Sequence, residues 1–170
     1  MRGLLLLAVM SGILAGCGPD ASYTLSWFVA GETRSDAYGC SSHGIDAIMV
    51  QAVHASSGEP ADVAIFPCAP HYATRKIHSG TYILYVAPLN ARGQRLVDPR
   101  TGVAREPLEV PVTIPEDGSL VVGPVTIEPN PACSDGVDND GDGLVDLADP
   151  DCQDALGASE APSDEGAPLA

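Results

Sequence analysis

The sequence predicts an all-β protein: one small sandwich domain, a disulfide-closed aspartate-rich loop after it, and an unstructured tail. Three observations carry this prediction. Short runs rich in Val, Ile and Tyr recur between residues 18 and 127, separated by Gly and Pro. No window in that block sustains helical periodicity over three turns. Four cysteines fall two by two into separate composition blocks, Cys40 and Cys68 in the first, Cys133 and Cys152 in the second.

The chain opens with Met1 and Arg2 and an apolar run from Leu4 to Leu14. That run is shorter than the roughly 20 residues a bilayer-spanning helix needs, so it reads as a secretory signal peptide. The four residues Leu14-Ala15-Gly16-Cys17 resemble a bacterial lipobox. The resemblance implies cleavage before Cys17, leaving 1–16 as signal peptide, and acylation of the Cys17 thiol by a palmitate-type chain. The membrane partner is then the lipid bilayer, reached through the N-terminal lipid. Gly18 stands where an inner-membrane retention signal often has Asp, which by analogy implies a cell-envelope destination at the outer membrane.

Residues 17–127 are expected to form the β domain, long enough for one core of their own. Strand composition marks Tyr23 to Val29, Ile45 to His54, Val63 to Phe66, Gly80 to Val86, Leu108 to Ile114 and Leu120 to Ile127. Pro111 and Pro124 fall inside two of these runs and predict edge or bulged strands, because proline cannot donate to a central ladder. Tyr23, Trp27, Phe28, Tyr82 and Tyr85 read as core or cross-strand residues. The Trp-bearing strand, the glycine segment before Cys40 and the later Gly80-Thr81-Tyr82 resemble small immunoglobulin-like domains of bacterial surface lipoproteins, with a strand like that of carboxypeptidase-regulatory-like modules. That resemblance implies a fold and no chemistry.

The chain has five cysteines, an odd count for an exported protein. Committing Cys17 to lipid leaves Cys40, Cys68, Cys133 and Cys152, which in an oxidising compartment suggest two disulfides. Three connectivities are open. The sequential pairing, Cys40 with Cys68 and Cys133 with Cys152, keeps each bridge inside one composition block and is favoured.

Catalysis is not expected of the β domain. His43, His54, His71 and His78 are scattered, with no H-x-H or H-x₃-H spacing, and Ser41, Ser42 and Asp46 merely lie near His43. G-x-S-x-G, H-E-x-x-H and phosphate-loop patterns are missing.

The 128–152 block carries the chemistry. Between Cys133 and Cys152 lie seven aspartates and no cation. Numbered from Asp138, carboxylates fall at positions 1, 3, 5, 9 and 12, namely Asp138, Asp140, Asp142, Asp146 and Asp149. Gly143 holds position 6, where such a loop turns sharply, and Leu144 offers its backbone carbonyl at position 7. This is the layout of an EF-hand-type calcium loop: hard oxygens at fixed offsets around one Ca²⁺. Without a cation, so many like charges would repel one another. Asp149 replaces the usual Glu, so closure at position 12 requires a nearer backbone. Asp135 and Asp151 stand outside the frame.

The D-x-D-x-D-G-x-x-D core resembles the calcium loops of thrombospondin type 3 repeats. The larger frame resembles an aspartate-rich metal-binding motif of secreted proteins of predatory gliding bacteria. Cys133, Asp135, Gly136, Asp138, Asn139, Asp140, Asp142, Gly143 and Asp146 match it. Gly141 stands where many copies have a cysteine, so no cysteine-based role is implied there. The likeness covers about twenty residues and implies metal binding, not an activity.

Residues 128–132 read as a stiff spacer. The 153–170 tail, rich in Ala, Ser, Pro and Gly, is expected to be disordered because it offers little surface to bury. The formal net charge is −15, and no lysine or arginine follows Asn130. That balance argues against nucleic acid and against electrostatic attachment to anionic membranes. The leading expectation is therefore a lipid-anchored binding or structural module of the cell envelope, with an envelope or extracellular protein or glycan as its unidentified partner. The alternative is a metal-handling protein whose acidic segment captures or buffers a cation.

Overall fold

The computed structural model describes residues 21–30 and 39–162. The leader, Cys17 and residues 163–170 lie outside the described residues. Among the described residues seven strands run β1 Ala21–Val29, β2 Ala47–His54, β3 Pro60–Pro67, β4 Tyr72–Ile77, β5 Gly80–Leu89, β6 Leu108–Ile114 and β7 Ser119–Ile127. They form a three-stranded sheet of order β4-β1-β7 and a four-stranded sheet of order β3-β2-β5-β6. β1 is antiparallel to β4 and parallel to β7, so the first and last strands run together. The other pairings are antiparallel. No helix among the described residues is long and apolar enough to cross a membrane.

Period-two burial explains why β1 is a strand. Ala21, Tyr23, Leu25, Trp27 and Val29 are buried while the residues between them are half-buried. They share one core with Ile48 and Val50 of β2 and Tyr82, Leu84 and Val86 of β5. Each fully buried large apolar side chain there contributes about 1.5–3 kcal/mol over exposure. Pro111 lies in β6 and Pro124 in β7, both edge strands, as the loss of an N–H donor requires. At the β1–β7 seam the register shifts between Leu25 and Trp27. Gly123 sits there at φ 95°, where a Cβ would come 2.7 Å from the Ser26 carbonyl oxygen, so only glycine fits.

β4 is a strand the composition did not mark. Only Ala73 and Ile77 of Tyr72–Ile77 are buried, so its apolar signal is thin. Pairing with β1 and a side-chain link hold it instead. Arg75 on β4 donates from Nε and Nη2 to the two carboxylate oxygens of Asp62 on β3, each at 2.7 Å. This fork joins an edge of one sheet to an edge of the other. The Arg75 hydrogen bonds hold the Asp62 carboxyl below its ordinary value. Beneath the pair, the Tyr23 hydroxyl is buried without a hydrogen-bond partner. Burial, followed by the Asp62 charge, pushes its pKa up to about 12 against a smaller opposing effect of Arg75.

The disulfides follow the sequential pairing, Cys40 to Cys68 and Cys133 to Cys152. The first lies in the core, and the buried Trp27 Nε1 donates to the Cys68 carbonyl at 3.0 Å. The second closes the aspartate-rich segment.

Candidate metal centre

Over residues 129–162 the chain has almost no regular structure beyond two short 3₁₀ turns, and local hydrogen bonds to carboxylates shape it. Asp138 accepts from the Gly141 N–H at 2.7 Å on Oδ1 and from the Gly143 N–H at 3.0 Å on Oδ2. Asp140 accepts from Asp142 N–H at 3.2 Å, and Asp142 from Leu144 N–H at 2.7 Å. Gly143 has φ 94°, the left-handed turn that position 6 demands. The backbone therefore curls around its own aspartates, each alternate side chain pointing to the inside of the curl.

The result is a group of three carboxylates. Asp138, Asp140 and Asp142 each place one oxygen within 4.8 Å of the others, with Asp138 half-buried and the other two exposed. Among the described residues no histidine belongs to such a group. At Asp140 the Asp142 N–H lowers the carboxyl, but desolvation and the charges of Asp142, Asp149 and Asp138 raise it further, and its pKa ends above the ordinary value. A divalent cation would relieve that crowding, and hard carboxylate oxygens suit one.

The remaining members of the predicted set are placed differently. Asp149 is 1% exposed; its Oδ1 accepts from the Asp151 N–H at 2.7 Å, while Oδ2 is buried without a hydrogen-bond partner. Its charge is felt at Asp140, but its carboxylate is not one of the three that group together. An unpaired buried oxygen of this kind is costly unless something cationic meets it. Leu144 is exposed at the end of the curl. Asp146 lies outside the three-carboxylate group. Its φ is 53°, and its Oδ1 accepts from the Gly136 N–H at 3.0 Å, across the base of the loop.

Asp135, outside the twelve-residue frame, is the other buried carboxylate of the segment. Desolvation pushes its pKa up to about 6; hydrogen bonds from the Val137 N–H and the Asn139 side chain oppose this, and the Asp146 and Glu160 charges add to it. His43 of the β domain places Nδ1 3.9 Å from Asp135 Oδ2. Asn139 Nδ2 donates to the Ser42 carbonyl at 3.0 Å. A Cβ on Gly44 would collide with the Asp135 carbonyl oxygen, so the Gly44 backbone, at φ 61°, is in direct contact with the segment. The loop is thus docked on residues 41–44 of the domain, beside the Cys40–Cys68 bridge. A cavity of about 540 Å³ at this seam is lined by Ser41, Asp46, Asn90, Asp135 and Asp146, among others.

The tail departs from the expected disorder over the described residues. Residues 153–162 turn back onto the loop, and Glu160 is fully buried. Its carboxylate accepts from the Asn139 and Asp146 N–H groups, each at 2.6 Å. Composition missed this because one carboxylate among Ala, Ser and Pro carries no periodic or spacing signal. Specific backbone hydrogen bonds, not buried apolar surface, order the segment.

No protein-family model and no curated protein matches the chain. Among solved structures, it is similar at 11% identity to a leucine-rich repeat protein from Bacteroides thetaiotaomicron VPI-5482, with a TM-score of 0.34. The match covers 69% of this chain and 15% of that one, and a likeness at this level carries no argument.

Proposed function

We propose that the chain is a lipid-anchored cell-envelope module of binding or structural type, in which a small immunoglobulin-like sandwich carries a C-terminal Ca²⁺ loop. The observation that carries the reading is the convergence of Asp138, Asp140 and Asp142; the buried Asp149 oxygen without a hydrogen-bond partner, whose charge is felt at Asp140, supports it. In this reading those four side chains and the Leu144 carbonyl ligate one ion, and Asp146 contributes through water. Oxygen ligands favour Ca²⁺ over Zn²⁺ or Cu²⁺, which prefer imidazole or thiolate. Mg²⁺ is disfavoured by its stricter octahedral geometry and reluctance to shed water. The exposure of Asp140 and Asp142 fits a modest structural affinity, of order 10⁻⁴ to 10⁻³ M for extracellular modules, better than tight cation capture.

Three and four strands sharing one core, with Trp27 bonded to the Cys68 carbonyl, support the immunoglobulin-like assignment. Anchoring rests on the Leu14-to-Cys17 box, and the outer membrane is the proposed destination. The site's role is rigidity: the ion would lock the loop against the domain and make the exported protein respond to external calcium. Thermal unfolding of the full oxidised chain tests this. Millimolar Ca²⁺ should raise the Tm by several degrees over chelator and over equal Mg²⁺, by preferential binding to the folded state. A Tm indifferent to Ca²⁺ would overturn the reading.

A further inference from the structure

Glu160 is the least exposed charged residue among those described, at 0%. Burying a carboxylate is tolerable only when it is paired, and two short charge-assisted hydrogen bonds from backbone amides provide that pairing. The donors are far apart along the loop. Asn139 and Asp146 occupy positions 2 and 9 of the frame that begins at Asp138, so one side chain ties the outgoing limb to the returning limb. Asn139 lies between Asp138 and Asp140, two of the three grouped carboxylates. Fixing its N–H therefore fixes the backbone that aims both.

The segment that delivers Glu160 has an anchor of its own. Cys133 N–H donates to the Gly157 carbonyl at 3.1 Å, and a Cβ on Gly157 would lie 2.5 Å from Cys133 Sγ. The chain thus passes tightly over the Cys133–Cys152 bridge before reaching the loop. Electrostatics oppose this docking. The Glu160 charge is felt at Asp135 together with that of Asp146, and no lysine or arginine follows Asn130. A cation at Asp138, Asp140 and Asp142 would offset that repulsion.

We infer that residues 153–160 form a cation-linked strap, in which Glu160 is the positioning residue that holds the loop in its ion-binding shape and the bound ion in turn locks Glu160 in place. The inference rests on reading the three-carboxylate group as a cation site. Coupling between two such events is reciprocal: if the strap favours the ion, the ion favours the strap by the same factor.

The test uses the full oxidised chain with Ca²⁺ as probe, following calorimetric affinity and hydrogen exchange at the Asn139 and Asp146 amides. In the wild type, Ca²⁺ should slow exchange at both amides about tenfold or more. Glu160→Gln keeps the shape, removes the charge and replaces one of the two acceptor oxygens by an NH₂ donor, so only one of the two backbone amides keeps its acceptor. It should weaken Ca²⁺ about tenfold, in the range seen when an outer-shell partner is lost, and abolish the calcium-dependent slowing. Glu160→Asp, which keeps the charge on a shorter stem, should recover part of the affinity. Intact Cys133–Cys152 pairing and a cooperative calcium-free melting transition verify that each variant folds. Wild-type binding with unchanged affinity in Glu160→Gln overturns the strap alone. So does faster exchange in that variant by the same factor with and without Ca²⁺, the mark of a purely structural role. No Ca²⁺ binding by the wild type overturns the cation reading itself, and the linkage with it.

Discussion

Asn139 donates its side-chain amide to the carbonyl of Ser42, a residue 97 positions earlier, at 3.0 Å. With the 3.9 Å approach of His43 to Asp135, it places the aspartate-rich loop on the β domain rather than at the end of a spacer. Events at the loop are therefore felt by the domain. Asn139→Ala should leave the β-domain fold intact but shrink the calcium-induced rise in Tm, because binding is then less coupled to the domain. Parallel melting curves with Ca²⁺ and chelator check it; an undiminished rise contradicts it.

The Asp62–Arg75 fork sets an acid limit. Asp62 is held below its ordinary value of 3.8 in the folded state, chiefly by the Arg75 hydrogen bonds. A depressed carboxyl contributes stability that is present above the unfolded value and lost as pH falls through the folded one. The pair is partly solvated, so Asp62→Asn should cost only about 1 kcal/mol near pH 7. The difference between variant and wild type should shrink as pH drops below about 4, measured by denaturant unfolding. A constant difference across that window would contradict the assignment.

Tyr23 gives the alkaline counterpart. Its pKa is pushed up to about 12 from 10.0, so the folded state holds the phenol proton more tightly than the unfolded chain. The corresponding stability is complete below pH 10 and is lost as pH rises toward 12. Tyr23→Phe removes the ionisable group and the unpartnered hydroxyl, and should flatten that alkaline fall. An identical alkaline profile in the variant would contradict the burial argument.

Much of the fold is legible in the chain, for identifiable reasons. β1 and β5 show through because burial alternates strictly along Ala21–Val29 and clearly along Gly80–Leu89. Pro111 and Pro124 mark edges because their chemistry forbids a central place. The disulfide pairing follows from keeping each bridge within its own block. β4 stays hidden because Arg75 and its pairing with β1, rather than apolar side chains, hold it in place. At the loop, D-x-D-x-D-G spacing reveals Asp138, Asp140 and Asp142, since that pattern encodes one curl of backbone. Glu160 and the Ser42 contact are invisible for the opposite reason: they depend on where distant backbone amides and carbonyls end up.

Reduction of the second bridge should loosen the loop and weaken the ion together. Cys133 and Cys152 are 19 residues apart, and closing a loop of that size contributes roughly 3 kcal/mol by restricting the unfolded chain. A Cys133→Ser, Cys152→Ser double variant should bind Ca²⁺ about tenfold more weakly, as ordering the loop ends then falls to the ion. Equal affinity would show that the bridge does not preorganise the site.

One calorimetric titration bears on the whole proposal: Ca²⁺ into the full oxidised chain, beside Asp138→Ala and Asp142→Ala. Binding of one ion per chain, weaker than about 10⁻⁵ M and lost in both variants, is the predicted result. No heat at millimolar Ca²⁺, or isotherms unchanged by either substitution, would contradict it and leave an acidic loop held only by its own hydrogen bonds.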